Sequence, residues 1–182
     1  NPEIKAVSKV TTYEGKVLED NGCKSESVCP KEQILDPRVS FMLIDILKDN
    51  NARSPSFGSN SYLVIPNHPE VAVKTGTSND LRDNLTIGFN QKYLVAAWVG
   101  NNDNAPMERI ASGITGAAPI WNKIMSALIS NTEAEVWQVP TGVISLPVCT
   151  LTNSLACEGC FSRQEWFLEE NKPIYACNPE YI

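Results

Sequence analysis

The sequence is poor in histidine and has no long apolar run. His68 is the only histidine in the 182 residues, and a lone histidine does not form a Ser-His-Asp triad without a candidate serine. We therefore interpret His68 as a solvent-exposed loop residue and assign it no role. No apolar run approaches the length of a transmembrane helix, and nothing near Asn1 resembles a signal peptide. Because the chain starts at Asn1 rather than at a methionine, we expect any leader to belong to residues outside this sequence, and we do not infer a cytoplasmic protein.

Positive charge is also scarce. Lys and Arg number 15 against 21 Asp and Glu, which gives a formal net charge of −6 and a pI near 4.8. This balance argues against nucleic acid or an anionic membrane surface as the main partner. The hydrophobic content of 42% and the aromatic content of 8% are instead typical of a globular protein. The length predicts one domain with a real core, or a domain with a small appendage.

Strand-like segments are present from Val71 to Val99. A short apolar segment ends in Lys-Thr-Gly-Thr, and the two segments that follow, at 85–89 and 93–99, are apolar or β-branched. The tight turn at Asn90 and Gln91 leaves room only for an antiparallel hairpin. The pattern therefore predicts three strands, with the polar residues of the first strand at a strand edge.

The Lys-Thr-Gly-Thr motif has side chains suited to acyl transfer. An extended strand places Lys74 and Gly76 on one face and Thr75 and Thr77 on the other. Lys74 would supply a fixed positive charge beside a nucleophile, and the threonine hydroxyls would hold a substrate carboxylate. Gly76 has no Cβ to keep a substrate backbone away. The structural alternative is that these residues simply end a strand in a turn.

Lys-Thr-Gly is one of three motifs used by serine acyltransferases of the penicillin-binding protein and β-lactamase group. Further sequence blocks accompany it in order along the chain: Gln33-Ile-Leu-Asp-Pro37, Asn51-Ala-Arg53, Phe57-Gly-Ser-Asn-Ser61, Val73-Lys-Thr-Gly-Thr-Ser-Asn-Asp80, Arg82-Asp-Asn84, Trp98-Val-Gly-Asn-Asn-Asp103 and Gly113-Ile-Thr-Gly-Ala-Ala-Pro-Ile-Trp121. With these blocks the chain resembles the second part of the transpeptidase domain of a class A penicillin-binding protein. Leu85 departs from the family, which usually has an aromatic residue there, and this affects local packing more than chemistry.

The resemblance implies an α+β fold, a partial penicillin-binding/β-lactamase-like transpeptidase domain in which helices pack on an antiparallel sheet. We predict that residues 1–132 form the C-terminal portion of that domain and that residues 133–182 form a small cysteine-rich tail module. The resemblance also implies a parent protein that is a cell-wall D,D-transpeptidase with a separate glycosyltransferase domain. That parent would be extracytoplasmic and anchored to the bacterial cell membrane through a segment outside this chain.

By the same resemblance, Lys74 is the catalytic residue of this chain and Thr75, Gly76 and Thr77 bind substrate, with the Thr77 backbone N–H implied for the oxyanion hole. The substrate would be the D-Ala-D-Ala end of a peptidoglycan stem peptide. β-Lactams would bind at the same place, and no metal or cofactor is expected. The parent's serine would be acylated with loss of the last D-Ala, and an amine from a neighbouring stem peptide would then take the acyl group.

The family's other two motifs, Ser-x-x-Lys and Ser-x-Asn, are absent from the sequence. The family places both before Lys-Thr-Gly, so we expect this chain to begin after them and to be inactive by itself. Two other functions stay open, namely a non-catalytic module that binds cell-wall peptide and a β-lactamase or carboxypeptidase relative. Without the family's N-terminal strand, the segment from Tyr93 to Val99 would have an open apolar edge, which predicts a homodimer or a larger assembly of the isolated chain, or else poor solubility.

Six cysteines fall into a group of two and a group of four. Even numbers in local clusters indicate disulfides and an oxidising compartment. Cys23 and Cys29 are spaced to close a small ring. A Cys₄ zinc site in the tail is the alternative, but the tail has only one Cys-x-x-Cys pair where a zinc ribbon normally has two. The four tail cysteines, which would form two disulfides in one of three connectivities, are Cys149, Cys157, Cys160 and Cys177.

One helix is predicted before the central strands in the sequence, and another after them. Asp36 and Pro37 suit the N-cap and the first position of a helix that runs to about Lys48. Its apolar residues recur at helical spacing, which predicts a face that packs into the core. A second helix is predicted from about Ala117 to Ser130, and a β-hairpin over residues 4–19. The residues from 49 to 70 are rich in Asn, Ser, Pro and Gly and are predicted to form a long ordered loop.

Overall fold

The computed structural model describes residues 7, 9–20, 33–107 and 114–181. The chain divides into two compact units, Asn1–Pro37 and Arg38–Ile182. The fold is α+β, as the resemblance predicts, with helices packed on an antiparallel sheet and a disulfide-linked tail after them. Within the described ranges, no helix combines the length and apolarity needed to cross a membrane. The division between residues 132 and 133 stays a prediction.

The first unit contains the predicted β-hairpin. Strand β1 (Lys9–Thr11) pairs antiparallel with β2 (Val17–Asp20). The turn closes through a hydrogen bond from the Gly15 N–H to the Thr12 carbonyl, 3.0 Å long. Gly15 has a φ of +86°, which a residue without Cβ adopts at no steric cost. Most of the first predicted strand, from Ile4 onward, lies outside the described residues, as do Cys23 and Cys29.

Helix α1 (Pro37–Lys48) has the predicted bounds but a different buried face. The periodicity suggests that Val39 and Leu43 face the core, yet they are 38% and 48% exposed. Phe41 is buried instead and packs edge-on against Trp166 of the tail, with ring centroids 5.3 Å apart. Phe41 is thus the buried residue of α1, and the rest of its apolar stripe is at least partly exposed.

The predicted loop at 49–70 is partly wrong, because residues Asn50–Phe57 form a second helix, α2. The Asp49 carboxylate accepts a hydrogen bond from the Ala52 N–H at 3.0 Å and so caps the first turn. Pro55 has no N–H to donate to the Asn51 carbonyl, and the Ser54 hydroxyl donates to that carbonyl at 3.0 Å. In the sequence, proline and serine suggest a loop. In the structure, the Ser54 hydroxyl donates the hydrogen bond to Asn51 that Pro55 cannot donate.

The central sheet confirms the three predicted strands. Strands β3 (Ala72–Thr77), β4 (Asp83–Phe89) and β5 (Leu94–Gly100) pair antiparallel in the order β3-β4-β5. The Asn90 side-chain oxygen accepts a hydrogen bond from the Tyr93 N–H at 2.8 Å and fixes the predicted tight turn. In the described part of the chain, β3 and β5 are the two edges of this sheet.

One face of the sheet is covered by helix α3 (Ala117–Ile129), which matches the second predicted helix. Trp121 lies directly over Gly88, and the Asn84 side-chain oxygen accepts a hydrogen bond from the Ala117 N–H at 2.8 Å, which caps the helix from the sheet. The opposite face is less covered, with Leu94 and Trp98 70% and 52% exposed. The buried core cluster consists of Leu63, Ile65, Val71, Val73, Val95, Ala97, Ala117, Ala118, Trp121, Met125 and Ile129.

The tail is a two-stranded sheet with two overlapping disulfides. Strand β6 (Val143–Cys149) pairs antiparallel with β7 (Ser162–Leu168). Of the three connectivities, the chain has Cys149–Cys160 and Cys157–Cys177, which confirms disulfides in the tail. Cys157 lies inside the loop that the first bridge closes, so the two loops overlap in sequence.

Replacement of Gly88 by alanine should destabilise the chain. A Cβ at Gly88 would lie 2.3 Å from Trp121 Cζ2 and 2.9 Å from the Ala72 carbonyl oxygen, so ring and strand would have to separate. We expect Gly88→Ala to lower the free energy of unfolding by about 1–3 kcal/mol in urea denaturation. Gly76→Ala is the matched control, since its nearest contact would be Leu85 Cβ at 3.9 Å. Equal midpoints for the two variants would contradict the packing described.

Candidate functional site

Strand β3 runs from the core to the surface and ends in the Lys-Thr-Gly-Thr motif. Ala72 and Val73 are buried, whereas Lys74, Gly76 and Thr77 are exposed and Thr75 is half-buried. The buried start fixes the strand and the exposed end presents the motif to solvent. The four residues that the sequence singles out are therefore brought together at one end of an edge strand.

The register of β3 against β4 assigns the motif side chains to two faces. Thr75 pairs with Thr86 and Thr77 with Asn84, and both partners are fully buried on the side that α3 covers. Lys74 and Gly76 pair with Ile87 and Leu85 on the opposite side. The two threonines thus share one face, and the lysine and glycine share the other, as strand alternation predicts.

The backbone around Gly76 is accessible on its own side of the sheet. The only neighbour that a Cβ at Gly76 would meet within 4 Å is Leu85 Cβ, at 3.9 Å, among the atoms that the structure describes. Lys74 donates a hydrogen bond to the Thr75 carbonyl, and none of the described carboxylates forms an ion pair with it. The ammonium group is therefore available to an anionic ligand.

The turn after β3 is held by a compact set of hydrogen bonds. The Ser78 hydroxyl accepts from the Asp83 N–H at 2.7 Å, and the Ser78 N–H donates to the Asp83 carbonyl at 2.9 Å. The Asp83 carboxylate also accepts from the Trp98 indole N–H at 3.0 Å. Asp80 and Leu81 have φ values of +59° and +56°, a conformation that most side chains disfavour. These contacts fix the direction in which the chain leaves Thr77.

Arg53 ties both helices to the start of the motif strand. Its guanidinium donates to the carbonyls of Leu47 and Lys48, at 2.8 and 3.2 Å, and thus satisfies the last turn of α1. A longer contact of 3.4 Å reaches the carbonyl of Val73. Burial lowers the pKa of Arg53, while the nearby Asp49 carboxylate acts in the opposite direction. The sequence places Arg53 only in a family block and gives it no role, because most of its acceptors are backbone carbonyls.

A cavity of about 290 Å³ opens beside the motif strand. Its polar lining residues are Asp49, Arg53, Lys74 and Thr75. A larger cavity of about 450 Å³ also has Arg53 in its lining but no motif residue. The smaller cavity is the one that can receive a ligand bound to the motif. Its other wall is largely apolar and includes Ile46, Leu47, Ala52, Phe57, Leu63 and Val73.

His68 is not the solvent-exposed loop residue that we predict from the sequence, because it is only 7% exposed. Its Nδ1 lies 2.8 Å from a carboxylate oxygen of Glu70, which is 5% exposed. The Trp137 indole N–H donates to the Glu70 carbonyl at 2.8 Å and covers the pair from the tail side. The sequence offers little signal for this pair, since Asn67 and Pro69 make the segment resemble an open turn. The contact is a local one, between residues two positions apart in the segment that leads into β3.

Comparisons with known proteins identify related sequences and a solved structure with a similar fold. No family model matches the chain. It is 29% identical over 145 residues to penicillin-binding protein 1A of Pseudomonas aeruginosa, which covers 79% of this chain and 17% of that protein. It is 28% identical to penicillin-binding protein 1A of Clostridium tetani (93% and 21% covered) and 29% identical to that of Clostridium perfringens (96% and 20%). The chain thus spans about a fifth of the length of these curated relatives.

A solved structure has the same fold. The crystal structure of penicillin-binding protein 1A from Haemophilus influenzae superposes with a TM-score of 0.68 over 94% of this chain and 30% of that one, at 18% identity. The sequence matches cover most of the chain, and the structural match covers 94% of it. The chain is therefore similar, in sequence and in fold, to a part of penicillin-binding protein 1A.

Proposed function

We propose that this chain supplies the substrate strand of a cell-wall D,D-transpeptidase, a serine acyltransferase that cross-links peptidoglycan stem peptides and binds β-lactams. The observation that carries the proposal is the exposed Lys-Thr-Gly-Thr motif at the end of edge strand β3, in a chain related to penicillin-binding protein 1A. An edge strand has free backbone N–H and C=O groups along one side, so an extended peptide can lie against it.

Each motif residue would have a different role in substrate binding. A stem peptide ending in D-Ala-D-Ala has a terminal carboxylate, and the Thr75 and Thr77 hydroxyls, which share one face of the strand, can bind such a group. The Lys74 ammonium, on the other face, would supply a fixed positive charge beside the nucleophile. Gly76 would let the substrate backbone approach, since the space on its side is open. The Thr77 N–H would donate to the oxyanion of the tetrahedral intermediate. The apolar wall of the cavity beside Lys74 would take the non-polar part of the ligand.

The nucleophile must come from elsewhere in the parent protein, because no Ser-x-x-Lys occurs in these 182 residues. In the proposed reaction, a serine attacks the carbonyl of the penultimate D-Ala and the last D-Ala leaves with the serine's proton. An amine of a second stem peptide then attacks the ester, which releases the serine. We place the parent outside the cytoplasm, anchored to the bacterial membrane by another segment and joined to a glycosyltransferase domain. The two tail disulfides support an oxidising compartment.

A non-catalytic module that binds cell-wall peptide is a second candidate. The same exposed strand end supports it, because strand pairing and carboxylate binding need no nucleophile. A β-lactamase or carboxypeptidase relative has less support, since the curated relatives reported above are penicillin-binding proteins. The two leading candidates differ in whether the parent forms a covalent bond to a β-lactam.

Lys74→Ala in the full-length parent should reduce labelling by a fluorescent penicillin on the order of 100-fold, because it removes a charge that stabilises the transition state. Its unfolding temperature should hardly change, since the side chain is exposed. The matched control is Lys92→Ala, another surface lysine, which pairs with Glu135. Labelling of Lys74→Ala at the wild-type rate would remove the catalytic assignment, and an unlabelled wild-type parent would favour the binding module.

The isolated chain should form no covalent adduct with benzylpenicillin. Lys74 and the threonines would bind and polarise the substrate, and the sequence has no Ser-x-x-Lys motif to supply the acylated nucleophile. Intact-mass analysis after incubation measures the adduct directly. A stable penicilloyl adduct on this chain would contradict the proposed division between substrate strand and nucleophile.

We further propose that the isolated chain forms a homodimer along β5. This strand is an edge of the described sheet, and its exposed residues Leu94, Ala96 and Trp98 share the face opposite α3. Unpaired strand groups next to an apolar surface favour pairing with another copy.

Light scattering of the purified chain tests this association. We expect a dimer or a larger assembly for the wild type, and a shift to monomer for Leu94→Lys, because a charge beside the edge opposes pairing. Leu151→Lys is the control, since Leu151 is 66% exposed but lies in the tail. A monodisperse wild-type monomer at high concentration would show the proposal to be wrong.

A further inference from the structure

The four tail cysteines converge on one point even though they form two separate disulfides. The Sγ atoms of Cys149, Cys160 and Cys177 all lie within 4.8 Å of one another. Cys177 Sγ is bonded to Cys157 Sγ, so the fourth sulfur adjoins the same cluster. Sulfurs bound to one tetrahedral Zn²⁺ at about 2.3 Å are about 3.8 Å apart. Cys177 Sγ already lies within 4.8 Å of the Cys149 and Cys160 sulfurs, and those two, which are bonded to each other, would separate to the ligand spacing on reduction.

Backbone hydrogen bonds hold these cysteines independently of their disulfides. The Cys149 N–H donates to the Ser154 carbonyl at 2.8 Å, and the Cys149 carbonyl accepts from the Asn153 N–H at 2.9 Å. The Cys177 N–H donates to the Leu155 carbonyl at 2.8 Å. Reduction of the disulfides would remove none of these bonds. The backbone at Cys149 and Cys177 therefore has support that does not depend on the sulfur–sulfur bonds.

The Cys-x-x-Cys segment has the turn that a metal site needs. The Cys160 N–H donates to the Cys157 carbonyl at 3.2 Å, and Gly159 adopts a φ of +83°, which brings the two cysteines to the same side. Cys157 and Cys160 are half-buried, whereas Cys149 and Cys177 are buried. A reductant and a metal ion can thus reach the outer pair, and the inner pair would close the site away from water.

We propose that the reduced tail binds one Zn²⁺ through Cys149, Cys157, Cys160 and Cys177. Each disulfide takes two electrons and two protons from a dithiol reductant, which becomes a disulfide. The four thiols then release four protons, and the four thiolates bind the metal. The metal joins the same segments as the disulfides, so the tail is cross-linked in both redox states. This site is separate from the motif on β3 and does not depend on the proposed transpeptidase role.

Titration with Co²⁺ tests the site, since Co²⁺ in a tetrahedral thiolate site has visible absorption bands. The full chain is used with Cys23→Ser and Cys29→Ser, so that only the tail cysteines remain. It is reduced with a dithiol, which is removed under argon before titration. We expect one Co²⁺ per reduced chain, displacement by one Zn²⁺, and no binding by the oxidised chain.

Single replacements and denaturation distinguish a folded metal site from thiols that bind metal in an unfolded chain. Cys157→Ser and Cys160→Ser should each weaken Zn²⁺ binding on the order of 100-fold, because each removes one of four ligands. Zn²⁺ should raise the urea midpoint of the reduced chain, measured by tryptophan fluorescence. The proposal is overturned if the reduced chain binds no metal at 1:1 stoichiometry. It is also overturned if its affinity equals that of the urea-unfolded chain or of both serine variants.

Discussion

The contact of Trp121 with Gly88 is the one on which the rest of the sheet depends. Gly88 is the partner of Val73, the residue before Lys74, so the helix α3 presses on the sheet one position from the motif. A side chain at Gly88 would displace the ring. Because strand faces alternate, a sheet that keeps Val73 toward α3 must turn Lys74 to the opposite side. The packing of Trp121 on Gly88 therefore determines the face of the sheet on which Lys74 lies.

The segments next to the start of the motif strand are stabilised mostly by side chains that donate hydrogen bonds to backbone carbonyls. Arg53 satisfies carbonyls at the end of α1 and reaches Val73, and Trp137 donates to the carbonyl of Glu70 just before β3. The buried His68–Glu70 pair adds a local anchor. Loss of one partner from such a pair leaves an uncompensated polar group in the interior, so these residues are coupled to the strand start. The motif can therefore keep its position although few contacts hold the motif residues directly.

The sequence predicted the elements whose signals are local. The three central strands and α3 follow from apolar spacing and turn residues, and the motif positions follow from the family blocks. Helix α2 escaped prediction because Pro55 normally disfavours a helix, and its compensation by Ser54 is visible only in three dimensions. The burial of His68 and the position of Arg53 depend on partners that sequence spacing does not reveal. The cavity beside Lys74 is formed by residues from both helices and β3, so no single stretch predicts it.

The overlapping disulfides have a consequence for backbone cleavage. A cut between Cys149 and Cys157 leaves the two pieces joined by the Cys149–Cys160 bridge. A cut between Cys160 and Cys177 leaves them joined by Cys157–Cys177, and a cut between Cys157 and Cys160 leaves both bridges across the break. Every single nick from Cys149 to Cys177 therefore yields one covalent molecule. A chain that works where proteases are present can be cut once in this tail and still keep its two halves together.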